Sequence, residues 1–346
     1  MTLIATLYNH KGGVSKTTTT FNLAHAIAER KKQKVLLVDA DPQCNLTELF
    51  LARQIEKLDE EEAQGTQTVL PGTTILQALA PRLDGERADV DVDSIQLVPP
   101  TGVDGVYLLR GDVALSEAED KLSYAHSQRM TSDMHQRRNY IVFHDMLRRL
   151  GDLHGFDWVF VDVGPSAGAL TRSCFLACDR FLVPVAPDRF NFQAIGSLSR
   201  ILERWVSEHS QVVPDFKKLK LNVAEGKPEF RGLIMQRFQR YAGAPKSSYK
   251  VWMQKITERT TSELLPSLIS SAGSQTIVAK NCFNNPTAVE IHDFASLAPM
   301  MLTHGKPVWR LTQSDTGWAG VVWEQRKTDM DLLRSLFFNL ADQLST

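Results

Sequence analysis

Apolar positions along the chain fall into short uninterrupted runs separated by longer stretches of helical spacing. Residues 3–8 (LIATLY) form the first run and end at a glycine turn. From Thr17 to Arg30, Phe21, Ala24 and Ala28 share one stripe and Leu23 and Ile27 the adjoining one, as in an amphipathic helix. Lys34–Asp39 (KVLLVD) then reads as a strand buried on both faces, the pattern of parallel sheets. Strand, helix and strand in this order make a βαβ unit with a right-handed crossover.

The pattern recurs. It predicts strands at Val106–Leu109, Asp157–Asp162, Arg180–Val185 and Arg231–Met235, and a further short one at Ser94–Val98. Helices are predicted at Tyr140–Leu150, Ala167–Ala177, Phe192–His209 and Asp329–Leu344. Such alternation implies an α/β fold: a doubly wound, mostly parallel sheet with helices on both faces. Two stretches break it, Glu56–Gly72, acidic and then rich in Gly, Thr and Pro, and Pro81–Gly105, with Asp84, Asp91 and Asp93. They are expected to be surface insertions spanning residues 56–105 of a single domain, 1–346. No internal repeat or low-complexity tract is visible.

Composition is that of a globular chain, 43% hydrophobic and 23% charged over 346 residues. The four cysteines form no C-x-x-C pair, so neither a zinc ribbon nor a disulfide framework is indicated. Cys174 and Cys178 read as two small buried residues on one helix face. No signal-peptide pattern and no run of 18 apolar residues occurs, so a cytoplasmic location without a membrane span is expected. Net charge is −1, but residues 215–259 hold eleven Lys and Arg against four acids, leaving +7 there and −8 elsewhere. That asymmetry singles the segment out.

The segment richest in chemistry is His10-Lys11-Gly12-Gly13-Val14-Ser15-Lys16-Thr17-Thr18, placed between the first strand and the first helix. Polyphosphate needs several backbone N–H groups converging on it, and Gly12 and Gly13 let the chain curl without a Cβ in the way. The helix that follows directs its positive end at the anion. Lys16 supplies a point charge for the β- and γ-phosphates, and the Thr17 hydroxyl can ligate Mg²⁺. Lys11 stands where the common G-x-x-x-x-G-K-[ST] pattern has its first glycine, and Ser15 where it has its second.

K-G-G-x-x-K-[ST]-T resembles the deviant Walker A box of the ParA/MinD ATPases, P-loop NTPases in which two subunits sandwich two ATPs. The resemblance implies nucleotide binding by Lys11, Gly12, Gly13, Val14, Ser15, Lys16, Thr17 and Thr18, with ATP and Mg²⁺ as cofactors. It also implies a homodimer in which Lys11 reaches the partner's phosphates and stabilises charge developing on the transferring phosphoryl group. Val35–Leu46 (VLLVDADPQCNL) is similar to the family's second box. By that likeness Asp41 orients or activates the attacking water and Asp39 supports the magnesium shell; the alternative is that both cap a strand–loop junction.

Asp157–Ser166 (DWVFVDVGPS) resembles the Walker B strand and switch loop, with Asp162 on a magnesium-bound water and Gly164 in place of the commoner first proline. Arg180–Asp188 (RFLVPVAPD) resembles the next strand and its loop, with no role assigned to Asp188. Arg231–Gln236 (RGLIMQ) occupies the strand that meets the adenine, where Gln236 either bonds the base or is an exposed loop glutamine. Catalysis is thus expected from Lys11, Lys16 and Asp41, and metal binding from Thr17, Asp39 and Asp162. Gly305–Val308 and the last helix also resemble the family's C-terminal end.

The D-A-D-P-Q-x-N-L box most resembles the ParA and Soj branch. This implies ATP-dependent dimerisation, non-specific DNA binding, and hydrolysis triggered by a ParB-like adaptor in plasmid or chromosome partition, with nucleoid association if DNA is bound. Lys217, Lys218, Lys220, Arg237, Arg240, Lys246 and Lys250 are candidates for phosphate contacts; a solvated loop face is the equal reading. The alternative function is positioning of a protein cargo, or service in a mobile-element or defence system. The cysteines lack the setting of a cluster-bridging relative. The last helix has only Arg334 as a cation, so packing on the domain is expected rather than membrane attachment.

Overall fold

The computed structural model describes residues 1–64, 69–101, 103–241 and 243–345. Along the first half run β1 (Leu3–Leu7), α1 (Lys16–Lys31), β2 (Val35–Ala40), α2 (Asn45–Ala63), α3 (Ile75–Leu83), β3 (Val106–Leu109), α4 (Ala118–Gln128), α5 (Met134–Tyr140), α6 (Val142–His154) and β4 (Trp158–Val163). Then come α7 (Ala169–Ala177), β5 (Arg180–Val185), α8 (Arg189–Ser210), α9 (Val213–Lys218), β6 (Glu229–Gln236), and a small hairpin, β7 (Arg240–Tyr241) and β8 (Ala244–Pro245). The chain closes with α10 (Ser247–Arg259), α11 (Leu265–Ala272), β9 (Thr287–Ile291), α12 (Leu297–His304), α13 (Gln313–Thr316) and α14 (Gly320–Leu344).

The main sheet has seven strands in the order β3-β2-β4-β1-β5-β6-β9, and every neighbouring pair is parallel. Successive side chains of a strand face opposite sides, and both sides are buried here. Leu36, Val38, Val159, Val161 and Val183 join one core; Val35, Leu37, Trp158, Phe160 and Leu182 join the other. The first core is covered by α3, α4, α6, α7, α8, α10 and α11. The second is covered by α1, α2, α12 and α14, with Phe21, Leu49, Met301 and Phe337 packed together. The expected packing of the last helix on the body is what the structure has: Leu333, Phe337 and Leu340 are fully buried.

The expected parallel sheet is what the structure has, wholly parallel among its described strands, and three details differ. Ser94–Val98 is not a strand: Val92–Ser94 is a 3₁₀ turn, and only Val98 pairs, antiparallel to Leu108. Pro99 and Pro100 follow directly and have no N–H with which to extend a ladder. The acidic stretch from Glu56 is regular as far as Ala63, where it continues α2 as an exposed helix of strong helix formers; part of that stretch, 65–68, lies outside the described residues. The edge strand β9 was not foreseen, although the turn Asn284-Asn285-Pro286 leads straight into it, with Asn285 Oδ1 accepting from Thr287 N at 3.0 Å.

Candidate functional site

The carboxyl end of β1, at the centre of the sheet, is pinned by a buried asparagine. Asn9 Nδ2 donates to the Pro184 carbonyl on β5 at 2.9 Å, and its Oδ1 accepts from Lys11 N at 3.0 Å. The chain then curls around the start of α1. Gly13 (φ 70°) and Ser15 (φ 57°) take left-handed conformations, Ser15 as the residue capping α1. A serine there carries a cost of about 1 kcal/mol that glycine avoids, so the second departure from the common motif is tolerated rather than free.

Lys16 is 8% exposed, and its Nζ lies 3.3 Å from the Asn9 carbonyl. Burial draws its pKa down, while Asp162 and Asp41 oppose that shift. Thr17 Oγ1 donates to Asp162 Oδ2 at 2.6 Å. Asp162 is 1% exposed and its other oxygen, Oδ1, is buried without a hydrogen-bond partner. Burial, reinforced by the neighbouring Asp39, pushes its carboxyl pKa up to about 8. A buried carboxylate oxygen with no donor is costly. A cation beside Thr17 and Asp162 relieves that cost, so these two residues fit a magnesium ion, with phosphate oxygens and water completing its shell.

Above them lies a cavity of about 470 Å³, walled by Gly12 to Thr18 on one side and by Asp41, Gln43, Asn45, Glu48 and Pro165 on the other. Asp41 is 6% exposed and its Oδ1 accepts from Gln43 N at 3.1 Å. Gly164 crosses behind it: a Cβ on that residue would stand 3.2 Å from Asp41 Oδ1. A second cavity of about 180 Å³ adjoins through Ser15 and Thr18 and is walled by Gln236, Arg237 and residues Ile291 to Phe294 at the end of β9.

The structure therefore gathers Lys16, Thr17, Asp41 and Asp162 at one place and sorts the other candidates differently. Asp39 is spent elsewhere: its Oδ2 accepts from Thr47 N and Oγ1 at 2.8 and 2.7 Å, and its Oδ1 from Asp41 N at 3.3 Å. Burial raises its pKa to about 6. It sits beside Asp162 in the β2–β4 register and fastens α2 under the site, and it does not line the cavity itself. Gln236 is no exposed loop residue. It is 3% exposed, its Oε1 accepts from Thr19 Oγ1 at 2.8 Å, and its Nε2 donates to the Val14 carbonyl, so the side chain props the phosphate loop.

Lys11 turns out of the cavity, its Nζ 5.1 Å from the centre of the exposed Phe190 ring at the start of α8. Asp188 acquires a structural role as the cap of α8, accepting from Asn191 N at 2.7 Å. The seven basic candidates do not form one surface. Arg237 donates to the Gly13 carbonyl and belongs to the phosphate loop. Arg240, Lys246 and Lys250 stand exposed on the β7–β8 hairpin and α10, just past the end of β6. Lys217, Lys218 and Lys220 lie on α9 and the turn after it, ahead of β6. Lys217 pairs with Glu225 and Lys218 with Asp215.

Gln43, Asn45, Glu48 and Ile291 to Phe294 escaped the sequence reading. Gln43 and Asn45 stand in the quoted D-A-D-P-Q-x-N box, which was the available signal; the His292 region, remote in sequence, offered none. Among the described residues no helix is long and apolar enough to cross a membrane.

Residues 1–213 match a family described as an AAA domain. The chain is 29% identical over 202 residues to the chromosome partitioning protein ParA of Caulobacter vibrioides, covering 58% of this chain and 62% of that protein. It is 29% identical over 209 residues to the sporulation initiation inhibitor protein Soj of Bacillus subtilis, covering 60% of this chain and 66% of that one. The matches thus span roughly two thirds or less of these relatives' own lengths, and 64% of the Chlamydia ParA family proteins. A Corynebacterium diphtheriae protein of known structure superposes with a TM-score of 0.66 at 24% identity, over 88% of this chain and 97% of that one. That likeness concerns the fold.

Proposed function

The chain belongs to the ParA/MinD family of P-loop ATPases, and on that premise we propose that it binds and hydrolyses magnesium-ATP in the cleft between the Gly12–Thr18 loop and Asp41. One observation carries this reading: Lys16, Thr17 and the half-satisfied Asp162 carboxylate converge on a cavity sized for a nucleotide's phosphates. The loop's N–H groups and Lys16 hold the phosphate chain. Thr17 and Asp162 would hold the magnesium ion, which would supply neutralisation of the phosphates' charge. Asp41, fixed by Gln43 N and backed by Gly164, orients the attacking water. The smaller cavity between Ser15, Arg237 and Phe294 receives the base, with Gln236 supporting its floor.

Replacing Lys16 by Ala is expected to abolish magnesium-ATP binding measured with a fluorescent analogue; affinity retained within a few-fold would contradict this site. Asp41→Ala is expected to bind ATP and dimerise as the unaltered protein does, but to hydrolyse it slowly.

The cellular reading we favour is ATP-dependent dimerisation with non-specific DNA binding and hydrolysis stimulated by a ParB-like adaptor, in the cytoplasm at the nucleoid, serving plasmid or chromosome partition. Support comes from the relatives' partition roles and from the placement of Arg240, Lys246 and Lys250 at the nucleotide end of the fold, where assembly over ATP can bring two copies of the patch together. Salt-sensitive DNA retention that requires ATP, and its loss when these three residues become Glu, is the expected result. Retention indifferent to ATP and to these charges favours the alternative, positioning of a protein cargo or service to a mobile element or defence system.

A further inference from the structure

We propose that the protein carries a second anion site, separate from the ATP cleft, that takes a terminal phosphate group at the N-terminal end of the sheet. Its centre is Arg82, at the end of α3. This guanidinium is only 3% exposed, yet no carboxylate pairs with it among the described residues. One Nη1 bond goes to the Arg87 carbonyl at 3.2 Å and an Nη2 bond to the His135 carbonyl at 2.7 Å, while Nε is buried without a partner. Burial and the nearby Arg138 oppose its charge, and only Asp89, itself bonded to Arg138, favours it. Arginines this buried are ordinarily paired, because an unpaired charge in a low-dielectric setting is expensive. Arg82 is left with neutral acceptors, the two carbonyls and His135 Nδ1 at 3.2 Å.

It opens on a cavity of about 240 Å³ whose other charged walls are Arg138, Arg149, Lys220, Asp89 and Asp145. Both acids are already engaged: Asp89 by Arg138 at 2.9 Å, and Asp145 by Arg149 at 3.3 Å and by Asn222 at 3.1 Å. Four cations against two acids leave the cavity at +2, the charge a phosphate monoester needs. Lys220 is exposed, and its ammonium has no partner among the described residues. The helix forming one wall, α6, also reaches Thr2 and Asp179 through Arg148, just ahead of β1 and β5. The site therefore stands at the end of the sheet opposite the phosphate loop. Arg82 is too deep for the backbone of a DNA duplex to reach, so the ligand is inorganic phosphate or a small ester ending in one. Planar guanidinium groups suit that ligand.

Isothermal titration of the full chain with orthophosphate, and separately with phenyl phosphate, tests this at fixed chloride. Both the unaltered protein and Lys16→Ala are expected to bind; tighter binding of the ester identifies the source as a phosphorylated metabolite, and equal or weaker binding as the free ion. Arg149→Gln and Lys220→Gln, which alter the rim and leave Arg82 in place, are each expected to weaken binding about tenfold, the loss of one charged hydrogen bond. Circular dichroism melts confirm that these rim variants fold. The proposal is overturned if the unaltered protein binds neither probe, if Lys16→Ala abolishes the binding, or if the rim variants bind as tightly as the unaltered protein. It is also overturned if they lose only duplex DNA.

Discussion

At the scale of single residues, the site is organised around a carboxylate that the protein's own donors leave half satisfied. Asp162 has one oxygen on Thr17 and none of its donors on the other, and its raised pKa records the cost of that arrangement. Asp41, two residues beyond Asp39 on the neighbouring loop, has its geometry set by two contacts: the Gln43 N–H in front and the missing side chain of Gly164 behind. Gly164→Ala puts a methyl 3.2 Å from Asp41 Oδ1, so the carboxylate must move by a few tenths of an ångström or more. ATP affinity is expected to change little, and single-turnover hydrolysis to fall about tenfold, since small misplacements of a positioning group are expensive in rate. Unaltered turnover would show that Asp41 is indifferent to this glycine. The convergence of Lys16, Thr17, Asp41 and Asp162 was legible in the sequence because each sits in a short motif beside a buried strand. The true employment of Asp39, Gln236 and Arg237 was not, because it depends on Thr47, Val14 and Gly13, contacts that residue type alone does not specify.

At the scale of elements, the strands in the middle of the sheet declared themselves because burial on both faces forces uninterrupted apolar runs. β9 sits at the edge, reads Thr-Ala-Val-Glu-Ile, and is buried only at Val289 and Ile291, so its sequence looks like any half-exposed segment. The short α13 was equally hidden. It exists because Thr312 and Asp315 form a capping box, and Asp315 does more than cap. Its side chain is 6% exposed and accepts from Lys306 Nζ at 2.6 Å, Arg53 at 3.2 Å and Thr312 Oγ1 at 2.7 Å, tying α2 to the segment before α14. These donors hold its pKa down at about 2, against the penalty of burial. A depressed carboxylate pKa stabilises the fold above the unfolded value near 4, and that stabilisation fades as pH falls through about 2. Asp315→Asn should therefore cost about 1 kcal/mol at pH 7 in urea unfolding, the shift being discounted for solvent screening. The gap between variant and parent should narrow steadily below pH 4. A gap independent of pH would mean that packing, not charge, is what Asp315 supplies.

At the scale of the whole molecule, the two cores lie on opposite faces of the sheet, and the proposed nucleotide cleft lies where β1, flanked by β4 and β5, gives way to α1. Strands on its two sides are thus connected in opposite directions, the kind of crevice at which open parallel sheets bind ligands. Within one copy, however, Lys11 is turned toward Phe190 and does not line the cavity. If a second copy supplies that charge, two separately defective proteins complement each other. Lys11→Ala keeps its own Asp41 but lends no lysine; Asp41→Ala lends its lysine but cannot position water. Each alone is expected to be nearly inactive. Mixed in equal amounts with ATP, half of the dimers pair one of each and carry one working cleft, so turnover should recover to about a quarter of the unaltered protein's. A lysine acting on its own subunit's nucleotide gives no recovery at any mixing ratio, because every cleft in the mixture then lacks either Lys11 or Asp41. Measuring phosphate release across the mixing series separates the two directly: recovery that peaks at equal proportions requires the cation to cross between subunits.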